Sequence, residues 1–208
     1  MVKKSKGKGK KLKILAAADL HGDSKATKKL AKRAEKEKVD LVVLCGDILG
    51  FVETKDVIKP FKDKNQRVLI LPGNWDSFAT TDFLAQFYGV KNIHGYSAQY
   101  KGVGFFGAGG ANIGPVATSE KELRDTLKKA HSGLKGIEKK VMLTHMHPAG
   151  SKSEFSGFSG SPAIRDAIKK FKPDVLLHGH IHEASGMEEM IGKTRVINVG
   201  KKGKIIEI

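Results

Sequence analysis

Residues 12–21 read Leu12-Lys13-Ile14-Leu15-Ala16-Ala17-Ala18-Asp19-Leu20-His21, an apolar run of strand length that stops on a carboxylate and an imidazole. Such a run bounded by polar residues reads as a buried strand. A helix is expected next, near Ser24–Lys38, with Leu30, Ala31 and Ala34 on one face, followed by a second strand over Val39–Cys45 that runs into Gly46-Asp47. A helix over Thr54–Asp63, closed by Lys64-Asn65, then leads to a third strand, Arg67–Leu71, ending at Pro72-Gly73. Strands and helices in this alternation predict a parallel sheet with right-handed crossovers.

After an expected helix near Ser77–Tyr88 the texture changes. Ile93–Gly107 breaks into short β-rich pieces around Gly95, Gly102 and Gly104, which predicts a meander rather than a crossover. Gly107–Gly114 is a glycine-rich loop. Ser119-Glu120-Lys121-Glu122 is a capping box that opens a helix to about His131, and Val141–Thr144 is a further strand. His147–Gly160 is a Ser/Gly loop with Phe155 and Phe158, long enough for a lid. Ser161-Pro162 starts a helix with Pro at its first position and Ala163, Ile164, Ala167, Ile168 and Phe171 on its buried face. Val175–His178 is a strand, and β-rich stretches follow around Met187–Ile191, Thr194–Val199 and Lys204–Ile208. Two helix-alternating strand groups joined by meander segments predict an α/β fold of two mixed sheets, packed face to face and flanked by helices.

Five polar clusters follow apolar runs. Asp19-Leu20-His21 follows Ile14–Ala18, Gly46-Asp47 follows Leu41–Cys45, and Gly73-Asn74-Trp75-Asp76 follows Val68–Leu71. His145 follows Val141–Thr144, and Gly179-His180-Ile181-His182 follows Val175–His178. All five fall where strands end, the place where open α/β sheets put their sites. Carboxylate, amide oxygen and imidazole together suit two borderline divalent ions: Mn²⁺ first, with Fe²⁺, Zn²⁺ or Ni²⁺ as alternatives. No Cys takes part, which argues against a structural zinc.

In order and residue type these clusters resemble the signature of the calcineurin-like metallophosphoesterases, D-x-H, G-D, G-N-H-[DE], H and G-H-x-H. The resemblance spans roughly Leu12 to Asn198 and departs from the pattern at Trp75, where the family usually has His, and at Gly46-Asp47-Ile48-Leu49-Gly50, which lacks a further Asp. It implies a four-layer α-β-β-α sandwich. It also implies one metal on Asp19, His21, Asp47 and His182 and a second on Asp47, Asn74, His145 and His180, with Asp47 shared. Two cations sharing Asp47 are expected to lower the pKa of a bridging water, so that hydroxide is available near neutral pH without a protein nucleophile. The implied activity is phosphate-ester hydrolysis, with phosphodiesters favoured. A nuclease is the second reading, and a non-catalytic metal-binding scaffold is disfavoured because all seven donor types are present.

Other residues leave alternatives open. His147 could replace His145 as a ligand, contact substrate, supply the acid that Trp75 cannot, or be an ordinary loop histidine. Asp23 could hydrogen-bond a ligand histidine or cap the helix at Ser24. Trp75 could stack a nucleobase or pack at the rim. Arg165 could reach a phosphate or lie on the surface, and Gly109-Gly110 reads as a turn.

Bulk properties set the frame. A chain of 208 residues with 39% hydrophobic and 29% charged residues is one globular domain, expected over residues 12–208. No apolar run reaches membrane-helix length and no apolar leader precedes Leu12, so a cytoplasmic protein without membrane contact is expected, with Cys45 reduced and buried. The formal charge is +16; residues 1–13 hold seven Lys and no acid, so +9 remains on the folded part. The expected flexible tail over residues 1–11 is either a solubilising arm or a polyanion-binding one. The basic body favours anionic ligands, a nucleotide or nucleic acid among them. A homo-oligomer remains open.

Overall fold

The computed structural model describes residues 11–50 and 57–208, so the expected tail lies, but for Lys11, outside the described residues. Its first half runs β1 (Lys13–Ala17), α1 (Ser24–Lys36), β2 (Leu41–Cys45), α2 (Lys59–Lys62), β3 (Val68–Leu71), α3 (Phe78–Tyr88) and β4 (Lys91–Asn92). The second continues with β5 (Ser97–Tyr100), β6 (Val103–Ala108), α4 (Glu120–Ser132), β7 (Lys139–Thr144), α5 (Pro162–Phe171), β8 (Val175–His178), β9 (Glu188–Ile191), β10 (Thr194–Asn198) and β11 (Lys204–Glu207). Among the described residues the strands form two sheets, ordered β11-β1-β2-β3-β4 and β5-β6-β7-β8-β10-β9. In the first, β1 to β4 are parallel and β11 is an antiparallel edge. In the second, β6, β7, β8 and β10 are parallel, while β5 and β9 close the two edges antiparallel.

Side chains alternate across a strand, and here both faces are covered, which is why the strands read as unbroken apolar runs. Ile14 and Ala16 of β1, Leu41 and Val43 of β2, Val141 and Leu143 of β7, and Val175 and Leu177 of β8 meet in one core between the sheets. The opposite faces of β1 and β2, with Leu15, Ala17, Val42 and Leu44, pack against Leu30, Ala31 and Ala34 of α1 and Phe61 of α2. Met142 and Leu176 face α4 and α5 through Leu123, Leu127, Ala163, Ile164, Ala167, Ile168 and Phe171. Three cores therefore glue four layers, the predicted α-β-β-α sandwich. Each fully buried Leu or Phe contributes about 1.5–3 kcal/mol to that packing.

Two expected elements differ. The helix expected over Thr54–Asp63 is the single turn Lys59–Lys62; residues 54–56 lie outside the described residues, and Pro60 stands in the first turn. A proline is favoured at a helix start and disfavoured deeper in, so it sets the N-terminal limit. Residues 93–107 are not one meander. The chain has already made a crossover through α3, placing β4 parallel to β3, and only β5–β6 is a hairpin. Its turn residues Lys101 and Gly102 have φ of 47° and 80°, as a tight hairpin turn of matching twist requires. The capping box at Ser119 and Glu122 forms with both reciprocal hydrogen bonds.

Candidate metal centre

Asp19 and His21 follow β1, Asp47 follows β2, Asn74 follows β3, His145 follows β7, and His180 and His182 follow β8. These are the C-terminal ends of parallel strands in both sheets, and they bring the seven side chains together. The turns are strained: Asp19, His21, Asp47 and His180 have φ of 58°, 47°, 50° and 71°. Left-handed backbone at a non-glycine residue costs on the order of 1 kcal/mol or more and persists only where neighbours over-determine it. Here the loops bond one another, Asp19 N–H to the Gly46 carbonyl at 3.0 Å, His21 N–H to that of Asp47 at 2.9 Å and Gly179 N–H to that of His145 at 3.0 Å. Gly73 and Gly179 are needed for space rather than for a special φ. A Cβ on Gly73 would lie 2.0 Å from Asp47 Oδ1, and one on Gly179 would lie 2.4 Å from the Ala18 Cβ.

Asp47 Oδ2 lies 3.6 Å from His21 Nε2 and 3.3 Å from His145 Nε2, so one carboxylate oxygen faces imidazoles on both sides. Its Oδ1 accepts from the Trp75 backbone N–H at 2.9 Å. His182 Nε2 is 3.3 Å from His21 Nε2 and 3.8 Å from Asp19 Oδ1. Asn74 Oδ1 stands between two rings, 2.9 Å from His145 Nε2 and 3.1 Å from His180 Nδ1. The Cys45 carbonyl, 2.9 Å from His145 Nδ1, can only accept, so Nδ1 carries a hydrogen and Nε2 is turned toward Asn74 and Asp47. The Cys45 side chain is buried in the inter-sheet core, where burial pushes its thiol pKa up.

Burial would depress His145, but the hydrogen bond and charge of Asp47, with Asp19 behind it, lift its pKa to about 9. Burial and the neighbouring His145 push His180 down to about 3. Asp19 is raised by burial, while Asp47, although buried, is lowered overall by its His145 partner. Most telling, Asp19 Oδ2 is buried with no hydrogen-bond partner among the described residues. A buried carboxylate oxygen without a donor is costly, and a cation answers it. Donor atoms of Asp19, His21 and His182, and of Asp19, Asp47 and His145, lie within 4.8 Å of one another. The donor set, hard carboxylate and amide oxygen with imidazole and no thiolate, fits borderline divalent ions.

Asp23 caps α1, its Oδ1 accepting from Ala26 N–H at 2.9 Å, and it pairs with Lys201 at 2.8 Å. His147 is buried; its Nε2 is 3.2 Å from the Phe158 carbonyl, to which it must donate, and its Nδ1 has no partner among the described residues. Arg165 Nη1 donates to the Ala149 carbonyl at 3.4 Å, within the 147–160 loop. Trp75 is 38% exposed and meets His21 edge to face at 6.5 Å between ring centroids. The 147–160 loop holds a short 3-10 turn, Lys152–Ser156, and is closed at its base by Ser161 N–H on the His147 carbonyl.

Asp76 has a role that its place in the Gly73-Asn74-Trp75-Asp76 cluster does not announce. It is fully buried, and its carboxylate accepts from Ile48, Leu49 and Gly73 N–H at 3.1, 2.9 and 2.9 Å, so it ties the Asp47 loop to the Asn74 loop. An acid two residues past Asn74, at a strand end already crowded with ligands, was the available signal. Asp76→Ala would leave three buried N–H groups bare, at about 1–3 kcal/mol each. A loss of at least about 3 kcal/mol in denaturant unfolding is expected; an unchanged midpoint would show that the two loops do not depend on this anchor.

These observations define an α-β-β-α sandwich with a candidate metal centre where its two sheets meet. The model of the calcineurin-like phosphoesterases matches residues 12–184, and the chain belongs to that family, which is metal-dependent. It is 30% identical over 210 residues to the uncharacterized protein MJ1162 of Methanocaldococcus jannaschii, covering 95% of this chain and 92% of that one. Its fold is similar to that of TT1561 of Thermus thermophilus, with a TM-score of 0.75, 19% identity and coverage of 96% and 99% of the two chains. It is also similar to an archaeal phosphodiesterase, with a TM-score of 0.54, 19% identity and coverage of 94% and 99%. A dimetal phosphatase from Danio rerio shares the fold at a TM-score of 0.61, 12% identity and coverage of 91% and 87%. No helix among the described residues is long and apolar enough to cross a membrane.

Proposed function

We propose that the chain hydrolyses phosphate esters, phosphodiesters before monoesters, at a centre holding two divalent cations. Mn²⁺ is the first choice, with Fe²⁺, Zn²⁺ or Ni²⁺ as substitutes, and the setting is cytoplasmic. The buried, partnerless Oδ2 of Asp19 in the midst of six further donors is the observation that carries this reading. Asp19, His21, Asp47 and His182 would hold one cation; Asp47, Asn74, His145 and His180 would hold the other. When bound, such cations supply Lewis acidity toward a phosphoryl oxygen and make a coordinated water acidic enough to act as nucleophile near neutral pH.

The chain's own residues supply placement. Trp75 N–H fixes one oxygen of Asp47 and leaves the other to face both sides of the centre. The Cys45 carbonyl holds the His145 ring so that Nε2 points inward. The groove at Asp19, His21 and His182 is completed by Ser185, Gly200, Lys201 and Lys202, with no guanidinium fork among the described residues. A diester, with one negative charge, makes less demand on such a site than a monoester dianion. Compare hydrolysis of bis(4-nitrophenyl) phosphate and 4-nitrophenyl phosphate by the Mn²⁺-loaded protein: the diester should have the higher kcat/KM. Faster monoester turnover would overturn the diester preference, and no turnover of either would overturn the phosphoesterase reading.

Metal uptake should also release a proton. With its pKa at about 9, His145 keeps a proton across neutral pH in the metal-free protein, and a cation taking Nε2 must displace it. Apparent metal affinity should rise with pH and level off above about 9. The sign for the metal-free fold is opposite. This raised pKa contributes stability in full below the ordinary value of 6.5 and loses it as pH climbs through about 9. Calorimetric titrations of Mn²⁺ in buffers of differing ionisation enthalpy check this; a buffer-independent heat would show that no proton leaves.

A further inference from the structure

A groove of about 470 Å³ runs beside the metal centre, lined by Asp23, Lys25, Lys29, Arg33, Lys201 and Lys202, with Ala26 and Leu30 as its apolar floor. Lys201 and Lys202 also line the 260 Å³ groove that contains Asp19, His21 and His182, so the two are continuous. Five cations thus face one acid, and that acid, Asp23, is spent on the α1 cap and on Lys201. Arg33 Nη1 donates to the carbonyls of Lys202 and Gly203 at 3.1 and 3.0 Å, which fixes the β10–β11 turn against α1 and gives the groove a rigid wall. Lys25, Lys29 and Lys202 are exposed and have no carboxylate partner among the described residues.

Lys25, Lys29 and Arg33 recur every four residues on one face of α1, so they form a row with steps of about 6 Å. A row of cations leading away from a phosphate-cleaving centre suits a ligand with several phosphates in line, not a single ester. Trp75, with its ring centroid 6.5 Å from that of His21, adds an aromatic surface at the rim of the metal centre, into which this cationic row leads. Lys169 and Lys193 line a groove with Pro173 and Asp174, at the end where β8 begins and away from the ligand turns.

We propose that the α1 groove is the binding track for a single-stranded nucleic acid: the strand's flanking phosphates lie along Lys201, Lys202, Lys25 and Lys29 while one phosphodiester sits at the metal centre and a base meets Trp75. The inference rests on the phosphodiesterase reading of that centre. It names the substrate as a strand rather than a small cyclic or nucleotide ester.

The test is the salt dependence of binding of a short fluorescent oligothymidylate to the full Mn²⁺-loaded chain, followed by anisotropy so that no turnover is needed. Each phosphate contact to a single strand contributes about 0.7 to the slope of log affinity against log salt, so Lys25→Ala/Lys29→Ala should lower the slope by about 1.4. The charge-matched Lys169→Ala/Lys193→Ala should leave slope and activity unchanged. In kinetics, the first pair should lower the ratio of oligonucleotide to bis(4-nitrophenyl) phosphate kcat/KM. Trp75 is the chain's one tryptophan, so its emission should fall with the oligonucleotide and not with inorganic polyphosphate. An unchanged slope in the first pair, or an equal drop in both pairs, overturns the track. An equal emission response to both polyanions overturns the nucleic-acid assignment. Absence of hydrolysis with a normal slope change strikes the phosphodiesterase reading instead.

Discussion

Asp47→Asn is expected to abolish most phosphodiester turnover while leaving the fold in place. The amide keeps an oxygen where Trp75 N–H donates, so the loop retains its 2.9 Å hydrogen bond. What disappears is the charge on Oδ2, the atom that faces His21 at 3.6 Å and His145 at 3.3 Å. A neutral amide holds divalent ions far more weakly than a carboxylate, and sharing between two ions depends on that charge. Groups one shell further out already cost about 10–100-fold when removed, so the loss here should exceed that range. His145 should respond as well: without its main counter-charge, burial governs, and its pKa should fall below the present value of about 9. Turnover, metal content and the His145 titration by NMR are the three readouts. A variant with full turnover would remove Asp47 from the shared position.

Trp75→His should change the chemistry of departure. Residue 75 is set directly against Asp47 by its own backbone N–H, and its side chain stands partly exposed over His21. Indole has no titratable proton at working pH, so it cannot protonate a leaving oxygen. In this structure the His147 Nε2 hydrogen is directed to the Phe158 carbonyl. Aryl diesters, which leave unprotonated, should therefore react much faster than alkyl ones. An imidazole at 75 should raise alkyl-diester turnover toward the general-acid range of about 10²–10⁴-fold and change aryl turnover little. If the dependence of rate on leaving-group pKa is the same in both proteins, residue 75 does not occupy the acid position.

Much of this was legible in the sequence because the physics is local. Ile14–Ala18 and Val141–Thr144 are apolar on both faces because helices cover one side and the opposing sheet the other, and their ends deliver Asp19 and His145. The α5 face read from residues 163–171 is buried as its spacing demands. What was not legible depends on distant partners. Nothing around Lys91–Asn92 announces that two residues extend the first sheet, since their pairing with Leu69 and Ile70 is set by where α3 returns the chain. Lys204–Glu207 reads as a strand but not as the antiparallel neighbour of β1. Asp76 looks like any acid in a turn until Ile48 and Leu49, far back in the chain, present their N–H groups to it. The glycines at 73 and 179 are needed because Asp47 and Ala18 crowd them across the site, which no local pattern shows.

Metal stoichiometry tests the shared two-metal centre most directly. The full chain is loaded with Mn²⁺, passed through a desalting column and assayed for bound metal, with Asp19→Asn, His145→Ala and Asp47→Asn beside it. Two ions per chain are predicted for the parent and one or fewer for the first two variants. Neither ion should be retained by Asp47→Asn, with diester turnover lost in parallel. A parent that holds no more than one ion yet hydrolyses diesters at full rate, or an Asp47→Asn variant that keeps both ions, would contradict the account.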